Sequence, residues 1–556
     1  MNYGFIIDNR KCIGCHACTV ACKAEHDVPI GVNRTWVKYI EKGEFPNTRR
    51  LFSVMRCNHC EDAPCVDICP TTALFHREDG IVDFDGRRCI GCKSCMQACP
   101  YDALYIDPET ETAAKCNYCA HRVDISLEPA CVNVCPVHAI VSGDMDNPQS
   151  EISQLLAREQ VTARKAEKGT RPKLFYINGD EASLNPIATE RSGSYMWSSQ
   201  LSGVGHFAKY AEARVAEADP AELLSQLTGK NDGRENWVGG EEGEPDKVLV
   251  PGDGDSGKML RKAMEVVKEK ARRVYDSPDK GVLWGTDVTA YIWTKAISSG
   301  AFLVLFLALV SGLTAVSERT QWAGVAVGLV FLGLTTVFLV KDLDQPLRFA
   351  YVLLRPQWKS WLVRGGYAIT LYGGFLVLWA AAKWLEWRTI ETVALWSAAI
   401  LAVVTAVYTA FLFAQAKGRD FWQSPALVLH MLAHAVVAGT SAFAILSAFF
   451  EDGEDWVSFL RAVFYVGIIF NLFVLFSEIV TTHSSEDAKK TVQIITSGRF
   501  RRGFWIGVVL IGNILPLALV WLGGQSLLSV AGALSLIGIY VNEHIWVRAP
   551  QLIPLS

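Results

Sequence analysis

The stretch of sequence that decides the fold of the N-terminal part is Cys12-Ile-Gly-Cys15-His-Ala-Cys18-Thr-Val-Ala-Cys22. Its spacing returns in Cys89-Ile-Gly-Cys92-Lys-Ser-Cys95-Met-Gln-Ala-Cys99-Pro100. These cysteines are too closely and too regularly spaced for a disulfide framework, and no signal peptide precedes them, so the pattern indicates metal ligation. Three thiolates on one tight loop reach three corners of a cubane iron–sulfur cluster, whereas the fourth, one helical turn on, points to a neighbouring cluster.

Two further groups widen the same spacing: Cys57-x2-Cys60-x4-Cys65-x3-Cys69-Pro70 and Cys116-x2-Cys119-x11-Cys131-x3-Cys135-Pro136. The sixteen cysteines divide into four sets of four, and none follows Cys135. Because Arg10–Cys18 repeats as Arg87–Cys95, we predict a duplicated, ferredoxin-like α+β domain over residues 1–145. Four redox-silent zinc sites are the alternative, but zinc motifs seldom place three cysteines at this double x2 spacing.

The overall composition is an average over a water-soluble N-terminal part and an apolar C-terminal part. Half of the 556 residues are hydrophobic, the net charge is −4 and the mean hydropathy is above zero, which disfavours a nucleic-acid binder, a collagenous chain or a disordered chain. Eight apolar runs of spanning length begin at Ala296, and they predict an all-α transmembrane bundle over residues 286–556. The runs cover about 296–316, 322–340, 361–382, 391–414, 424–450, 456–480, 504–522 and 527–547.

Residues 146–285 between these parts are polar and are predicted to form a connector, with a weak helix at 150–168 and a basic amphipathic helix at 257–275. The segment Gly252–Lys258 nearly completes a phosphate-binding P-loop. The position that should carry a magnesium-binding hydroxyl is Met259, so a flexible glycine loop is the favoured interpretation.

The four cysteine groups resemble the four-cluster electron-transfer subunit of the molybdopterin oxidoreductase family that includes dimethyl sulfoxide reductase, polysulfide reductase and sulfite dehydrogenase. The resemblance extends from Met1 to about Ile140. It implies four [4Fe–4S] clusters and a separate molybdopterin-containing catalytic subunit as partner. It also implies cross-paired ligands: Cys12, Cys15 and Cys18 with Cys135; Cys116, Cys119 and Cys131 with Cys22; Cys57, Cys60 and Cys65 with Cys99; and Cys89, Cys92 and Cys95 with Cys69.

The membrane part resembles the eight-helix, quinone-reactive anchor of polysulfide reductase type, on the segment Lys341–Phe349 and the tail Val547–Ser556. The chain therefore resembles a fusion of two subunits. His430 and His434 lie at i and i+4, so they share one face of one helix and cannot hold a haem between them. We expect no haem, and we expect electrons to pass directly between a cluster and a quinone, either menaquinone or ubiquinone.

Quinone chemistry moves protons as well as electrons, and ionisable residues in membrane spans are costly, so such residues are the candidates for the quinone site. They are Lys295, Asp342, Asp344, Arg348, Arg364, His430, His434, Glu478, Glu543 and His544. The resemblance places the quinone among the first four helices near the iron–sulfur domain, which favours Lys295, Asp342 and Arg348. For Arg364, Glu478 and Glu543, snorkelling to the interface or a structural ion pair is the alternative. His430 and His434 are interpreted as hydrogen-bonded core, with a proton path as the alternative.

The positive charges of the loops predict the orientation. Twelve lysines and arginines lie on the side that carries both ends of the membrane part, against four on the other side, which predicts clusters facing the cytoplasm at a prokaryotic inner membrane. Within the family this orientation favours a sulfite dehydrogenase-like electron-transfer subunit, with quinol oxidation for a terminal reductase as the alternative. A redox-driven ion transporter and a cluster-bearing sensor are further alternatives. We expect substrate chemistry to occur on the partner subunit.

Overall fold

The computed structural model describes residues 1–44, 46–189, 271–278, 280–449, 453–481, 483 and 485–556. A domain of small sheets and short helices comes first, and a bundle of long apolar helices follows. The predicted fold class, ferredoxin-like α+β followed by an all-α membrane bundle, is confirmed.

The largest described sheet has four strands in the order β8-β1-β10-β9. These strands are β1 (Tyr3–Asp8), β8 (Ile140–Asp144), β9 (Val161–Thr162) and β10 (Leu174–Ile177). β1 is central, antiparallel to β8 and parallel to β10, and its Phe5, Ile6 and Ile7 are fully buried. β1 at the start of the cysteine-rich region therefore pairs with β8 at its end.

The remaining strands form three smaller sheets in which β2 and β3 make a long antiparallel hairpin. The two halves of the duplication each place a short hairpin directly after a Cys-Pro pair, β4–β5 after Cys69-Pro70 and β6–β7 after Cys99-Pro100. Their bounds are β2 (Thr35–Glu44), β3 (Asn47–Arg56), β4 (Leu74–His76), β5 (Val82–Phe84), β6 (Leu104–Ile106), β7 (Ala113–Lys115) and β11 (Ala271–Tyr275). The short helices are Ala17–Glu25, Pro64–Ile68, Ser94–Ala98, Ala120–Val123, Ala130–Asn133, Glu151–Arg158 and Glu181–Leu184.

The structure extends the N-terminal domain beyond the boundary expected at residue 145. β10 pairs with β1, and β11 pairs with β2, so both ends of the expected connector belong to the sheets of this domain. Residues 271–275, assigned to a basic helix from their periodicity, form a strand because the open edge of β2 supplies backbone partners. The rest of that predicted helix and the glycine loop 252–258 lie outside the described residues.

The membrane part contains the eight predicted spans. In order they are Thr286–Ser311, Glu318–Lys341, Trp361–Trp384, Arg388–Gln415, Ala426–Leu446, Glu454–Val480, Gly503–Leu522 and Gln525–Leu552. The first span begins well before the predicted run at Ala296. Its early polar residues fit a membrane helix because Thr289 and Thr294 donate their hydroxyls to carbonyls one turn back.

Small residues let the spans approach closely. The first and fifth spans cross at Gly300 and Gly439, where a Cβ on Gly439 would lie 2.0 Å from the carbonyl carbon of Gly300. The seventh and eighth spans meet in the same way at Gly512 and Gly538. Close backbone approach of this kind supplies packing energy where lipid removes the hydrophobic drive between helices.

We expect Gly439→Ala to destabilise the bundle by about 1–3 kcal/mol, because the added methyl group must push two backbones apart. The measurement is thermal unfolding of the full chain in detergent. Gly374→Ala is the control, since a Cβ there meets no atom within 4 Å. Equal melting temperatures for the two variants would contradict the close crossing.

Candidate functional site: four cysteine sets and a membrane cavity

Three cavities in the N-terminal domain are each surrounded by four cysteines drawn from two different sequence motifs. Cys12, Cys15, Cys18 and Cys135 line the first, Cys57, Cys60, Cys65 and Cys99 the second, and Cys69, Cys89, Cys92 and Cys95 the third. The fourth member of each set comes from the other half of the domain, as the resemblance implies. We number these sets one, two and three.

The remaining cysteines form set four: Cys22, Cys116, Cys119 and Cys131 interact electrostatically with one another. Two basic side chains contact this set. Arg56 Nη1 lies 3.1 Å from the Sγ of Cys131, and His26 Nε2 lies 3.1 Å from the Sγ of Cys119. All sixteen cysteines are free of disulfide bonds.

The local backbone suits cluster ligation. Gly14 and Gly91 hold equivalent places in the two repeats, and both have positive φ, +72° and +70°, which turns the loop so that successive thiols face one cavity. Backbone N–H groups of Gly91 and Ala113 donate to the Sγ of Cys89 at 3.4 and 3.3 Å. Four soft thiolate donors around each cavity fit a cubane cluster.

Arg56 is a residue that sequence reasoning missed. It is completely buried, its guanidinium lies 4.5 Å from the centre of the Phe5 ring, and its charge faces the thiols of set four. A buried cation needs a compensating charge, and a set of metal-bound thiolates supplies one. The next residue in the sequence, Cys57, belongs to set two. The position of Arg56 in the sequence therefore did not indicate that its guanidinium contacts set four.

A larger cavity of about 820 Å³ lies where set three meets the membrane part. It is mostly apolar and is lined by residues of the first four spans together with Cys92 and Ser94. Its polar groups include Tyr291, Asp342 and Tyr408. Ligand pockets commonly combine an apolar wall with a few such groups.

Asp342 lines this cavity at the end of the second span. Burial raises the pKa of its carboxyl to about 7, with Lys93 opposing and Asp287 and Asp344 adding to the rise. The side chain can therefore take up or release a proton near neutral pH.

The other two favoured residues, Lys295 and Arg348, do not line the cavity. The ammonium of Lys295 lies 4.7 Å from the centre of the Tyr408 ring and donates to the carbonyl of Ala406 at 3.0 Å and to Thr409. Lys295 therefore contacts the cavity residue Tyr408 without lining the cavity itself. Arg348 donates to the carbonyls of Gly86 and Cys89, so it joins the membrane part to the loop of set three.

Two further candidates have contacts away from the cavity. Asp344 forms a buried ion pair with Lys93, the residue that follows Cys92 in the loop of set three. Arg364 donates to the carbonyl of Trp358 and lies over the Trp361 ring, as expected for a residue at the membrane boundary.

His430, His434, Glu478 and Glu543 lie inside the bundle, each with 3% or less of its surface exposed. The interpretation of the histidines as core agrees with this burial. The two glutamates are hydrogen-bonded to these histidines, which agrees with the structural ion pair given as an alternative for them and not with snorkelling to the interface. No contact of His544 with the cavity or with this group is present among the described residues.

The cavity tyrosines and Trp284 were also missed by sequence reasoning. Trp284 donates its Nε1 to the carbonyl of Cys92 and stacks on Trp422. Tyrosine and tryptophan are common at membrane interfaces, so their presence in these segments carried no specific signal.

Comparison with protein families assigns both parts. Residues 11–74 and 48–145 match 4Fe-4S dicluster domains, and residues 277–553 match the polysulphide reductase NrfD family. A tetrathionate reductase subunit of Salmonella typhimurium is 43% identical over 189 residues, which cover 33% of this chain and 76% of the relative. A polysulfide reductase chain of Wolinella succinogenes is 44% identical over 180 residues, 32% of this chain and 93% of the relative.

The protein belongs to the family of iron–sulfur subunits with 4Fe-4S dicluster domains, joined to an NrfD membrane domain. A putative dimethyl sulfoxide reductase iron-sulfur subunit of Halobacterium salinarum, 38% identical over 220 residues, covers 34% of this chain and 84% of the relative. Both parts of the resemblance are confirmed, and two dicluster domains with sixteen cysteines support four [4Fe–4S] clusters. These relatives carry the names of reductases and give the sulfite dehydrogenase preference no support.

The cross-paired sets make a prediction for double variants. Cys22→Ser and Cys116→Ser together should disturb a single cluster, because both residues belong to set four. Cys22→Ser with Cys18→Ser should disturb two clusters, although both residues lie in one sequence motif. The measurement is the number of cluster signals altered in the EPR spectrum of the reduced full chain, with the iron content measured alongside. Two altered signals in the first variant and one in the second would contradict the pairing.

Proposed function

We propose that this chain carries electrons between a molybdopterin-containing catalytic subunit and membrane quinone, and that quinone binds in the cavity beside set three. One observation carries the proposal: the apolar cavity is lined both by the cluster-ligand candidate Cys92 and by the ionisable carboxyl of Asp342. An electron carrier and a proton carrier therefore meet at one cavity that is open to a hydrophobic ligand.

The four cysteine sets would each hold one [4Fe–4S] cluster. When bound, these clusters supply one-electron carriers with no proton requirement of their own. The chain's residues bury sets two to four almost completely and leave set one nearest to the surface, where Cys15 is exposed. Ile13 and Val20 beside it are exposed hydrophobic residues, which favours this face for the catalytic partner.

The cavity residues would bind the quinone and handle its protons. Asp342 supplies the proton-exchanging carboxyl, and the hydroxyls of Tyr291 and Tyr408 supply hydrogen bonds to the quinone oxygens. Lys295, placed over the Tyr408 ring, fixes that ring and adds positive charge behind it. The aliphatic and aromatic walls accommodate the isoprenoid part of the molecule.

The reductase relatives favour electron flow from quinol to the clusters and on to a terminal reductase. Tetrathionate, polysulfide and dimethyl sulfoxide reductase subunits stand among the relatives, so a sulfur- or oxygen-containing terminal acceptor is the proposed substrate class of the partner. This interpretation replaces sulfite oxidation as the favoured function.

Asp342→Asn tests the quinone site. We expect the variant to keep its clusters reducible by dithionite but to lose most of their reduction by quinol, because the amide cannot accept a proton. A loss of about a hundredfold to ten-thousandfold in rate is the usual effect of removing a general acid or base. The measurement is stopped-flow absorbance of the clusters in the purified full chain after mixing with a short-chain quinol.

Asp67→Asn is the matched control. Asp67 also faces the membrane part, but it pairs with Lys359 and does not line the cavity. Its variant should reduce at the wild-type rate. Equal rates of cluster reduction in the wild type and Asp342→Asn would show that Asp342 is not part of the quinone site. If quinol does not reduce the wild-type clusters, the proposed quinone function is wrong. A cluster-bearing sensor or scaffold then becomes the favoured function.

We also propose that the iron–sulfur domain faces the cytoplasm at the inner membrane. Support comes from the excess of lysine and arginine on its side of the bundle and from the even number of spans. A green fluorescent reporter fused after Ser556 should therefore fluoresce, and an alkaline phosphatase reporter at the same place should be inactive. The opposite pair of results would place the domain outside the cytoplasm.

A further inference from the structure

The fifth, sixth and eighth spans enclose a buried polar group. It consists of His430 and His434 on the fifth span, Glu478 on the sixth, and Asn542 and Glu543 on the eighth, each with 3% or less of its surface exposed. Buried ionisable side chains in a membrane bundle are costly, so their presence indicates a function. The quinone cavity does not include them.

Each histidine is oriented by a carboxylate. His430 Nδ1 lies 2.6 Å from Glu478 Oε2, and His434 Nδ1 lies 2.6 Å from Glu543 Oε1. In metal sites, a ligating histidine almost always donates its second ring N–H to a carboxylate or carbonyl, which fixes the ring and its tautomer. The pairing of His430 with Glu478 turns Nε2 of His430 toward Glu543 Oε1, 3.8 Å away, and toward Nδ2 of Asn542, 3.3 Å away.

The donor atoms converge. The His-x3-His spacing places both imidazoles on one helix face, with ring centres 4.2 Å apart. One nitrogen of His430, one of His434 and one carboxylate oxygen of Glu543 all lie within 4.8 Å of one another. Two histidines one helical turn apart with a glutamate from a second helix make the His2Glu donor set that binds zinc in proteins.

Two buried acceptor atoms in this group have no hydrogen-bond partner among the described residues: Glu543 Oε2 and Asn542 Oδ1. Buried polar atoms are almost always satisfied, because an unpaired one has lost its hydrogen bonds to water without replacement. Both orphans are acceptors, so the missing partner is a donor or a cation. Asn542 also places its Nδ2 within 3.3 Å of Nε2 of each histidine, so its side chain borders the point where they converge.

The two carboxylates of the group also favour a cation. Glu478 and Glu543 lie in the membrane interior, where Lys295 interacts with the charge of Glu543 but donates its hydrogen bonds to Ala406 and Thr409. A divalent ion would balance both carboxylates and complete the coordination of the imidazoles.

We propose that His430, His434 and Glu543 bind one divalent transition-metal ion of the Zn²⁺ class between the fifth and eighth spans, with Glu478 orienting His430. The ion ties the two spans together at a site separate from the iron–sulfur clusters and the quinone cavity. The inference stands independently of the proposed electron transfer, because its donors belong to neither of those sites.

The test uses the purified full chain with its clusters intact. The protein is dialysed against Zn²⁺ and then against metal-free buffer, and zinc and iron are measured by plasma mass spectrometry. We expect one tightly held zinc per chain in the wild type and a loss of at least tenfold in His434→Gln. His544→Gln, a histidine variant of the eighth span outside the group, should keep its zinc. Unchanged iron content in all three proteins excludes zinc in empty cysteine sets.

Zinc absent from the wild type, or retained equally by His434→Gln, overturns the proposal and leaves a shared proton as the partner of the orphan acceptors. Should His434→Gln fail to fold, anomalous X-ray scattering at the zinc edge on wild-type crystals decides. A peak between His430 and Glu543 supports the site, and no peak there overturns it.

Discussion

The loop that carries Cys89 and Cys92 is bonded directly to the membrane bundle, and the rest of the arrangement depends on this attachment. Arg348 donates to the carbonyl of Cys89, the backbone N–H of Gln345 to that of Ile90, and the indole of Trp284 to that of Cys92. Backbone carbonyls of a cluster loop are thereby satisfied by the anchor itself. Set three is held at the bundle surface, and the cavity of about 820 Å³ lies against it.

This attachment explains why one chain can hold both an electron path and a quinone-sized cavity. Cross-pairing makes each cysteine set depend on both halves of the duplicated domain, so a set can form only when the halves fold together. β1, β8 and β10 close that domain by joining its two ends. Buried groups such as Arg56 then fix the charge around a set, whereas Asp342 lines the cavity at the membrane.

Local patterns allowed much of this to be predicted. Cysteine spacing indicated sixteen cluster ligands in four groups, because cluster ligands on one loop are close in sequence, and hydropathy indicated the eight spans. The cross-pairing of the groups was implied by the family resemblance and not by the spacing. Long-range contacts escaped prediction: β10 joins β1 across more than 160 residues, and Glu543 reaches His434 from another span. The resemblance favoured Arg348 for the quinone site, and only the structure shows that its guanidinium donates to the carbonyls of Gly86 and Cys89.

The central claim is that set three is the electron carrier next to the quinone. An EPR titration of the reduced full chain with a quinone-site inhibitor tests it most directly, with Cys92→Ser used to identify the signal of set three. Inhibitor binding should change the line shape of that signal and leave the signals of the other three sets unaltered. A change confined to another set, or no change at saturating inhibitor, would contradict it.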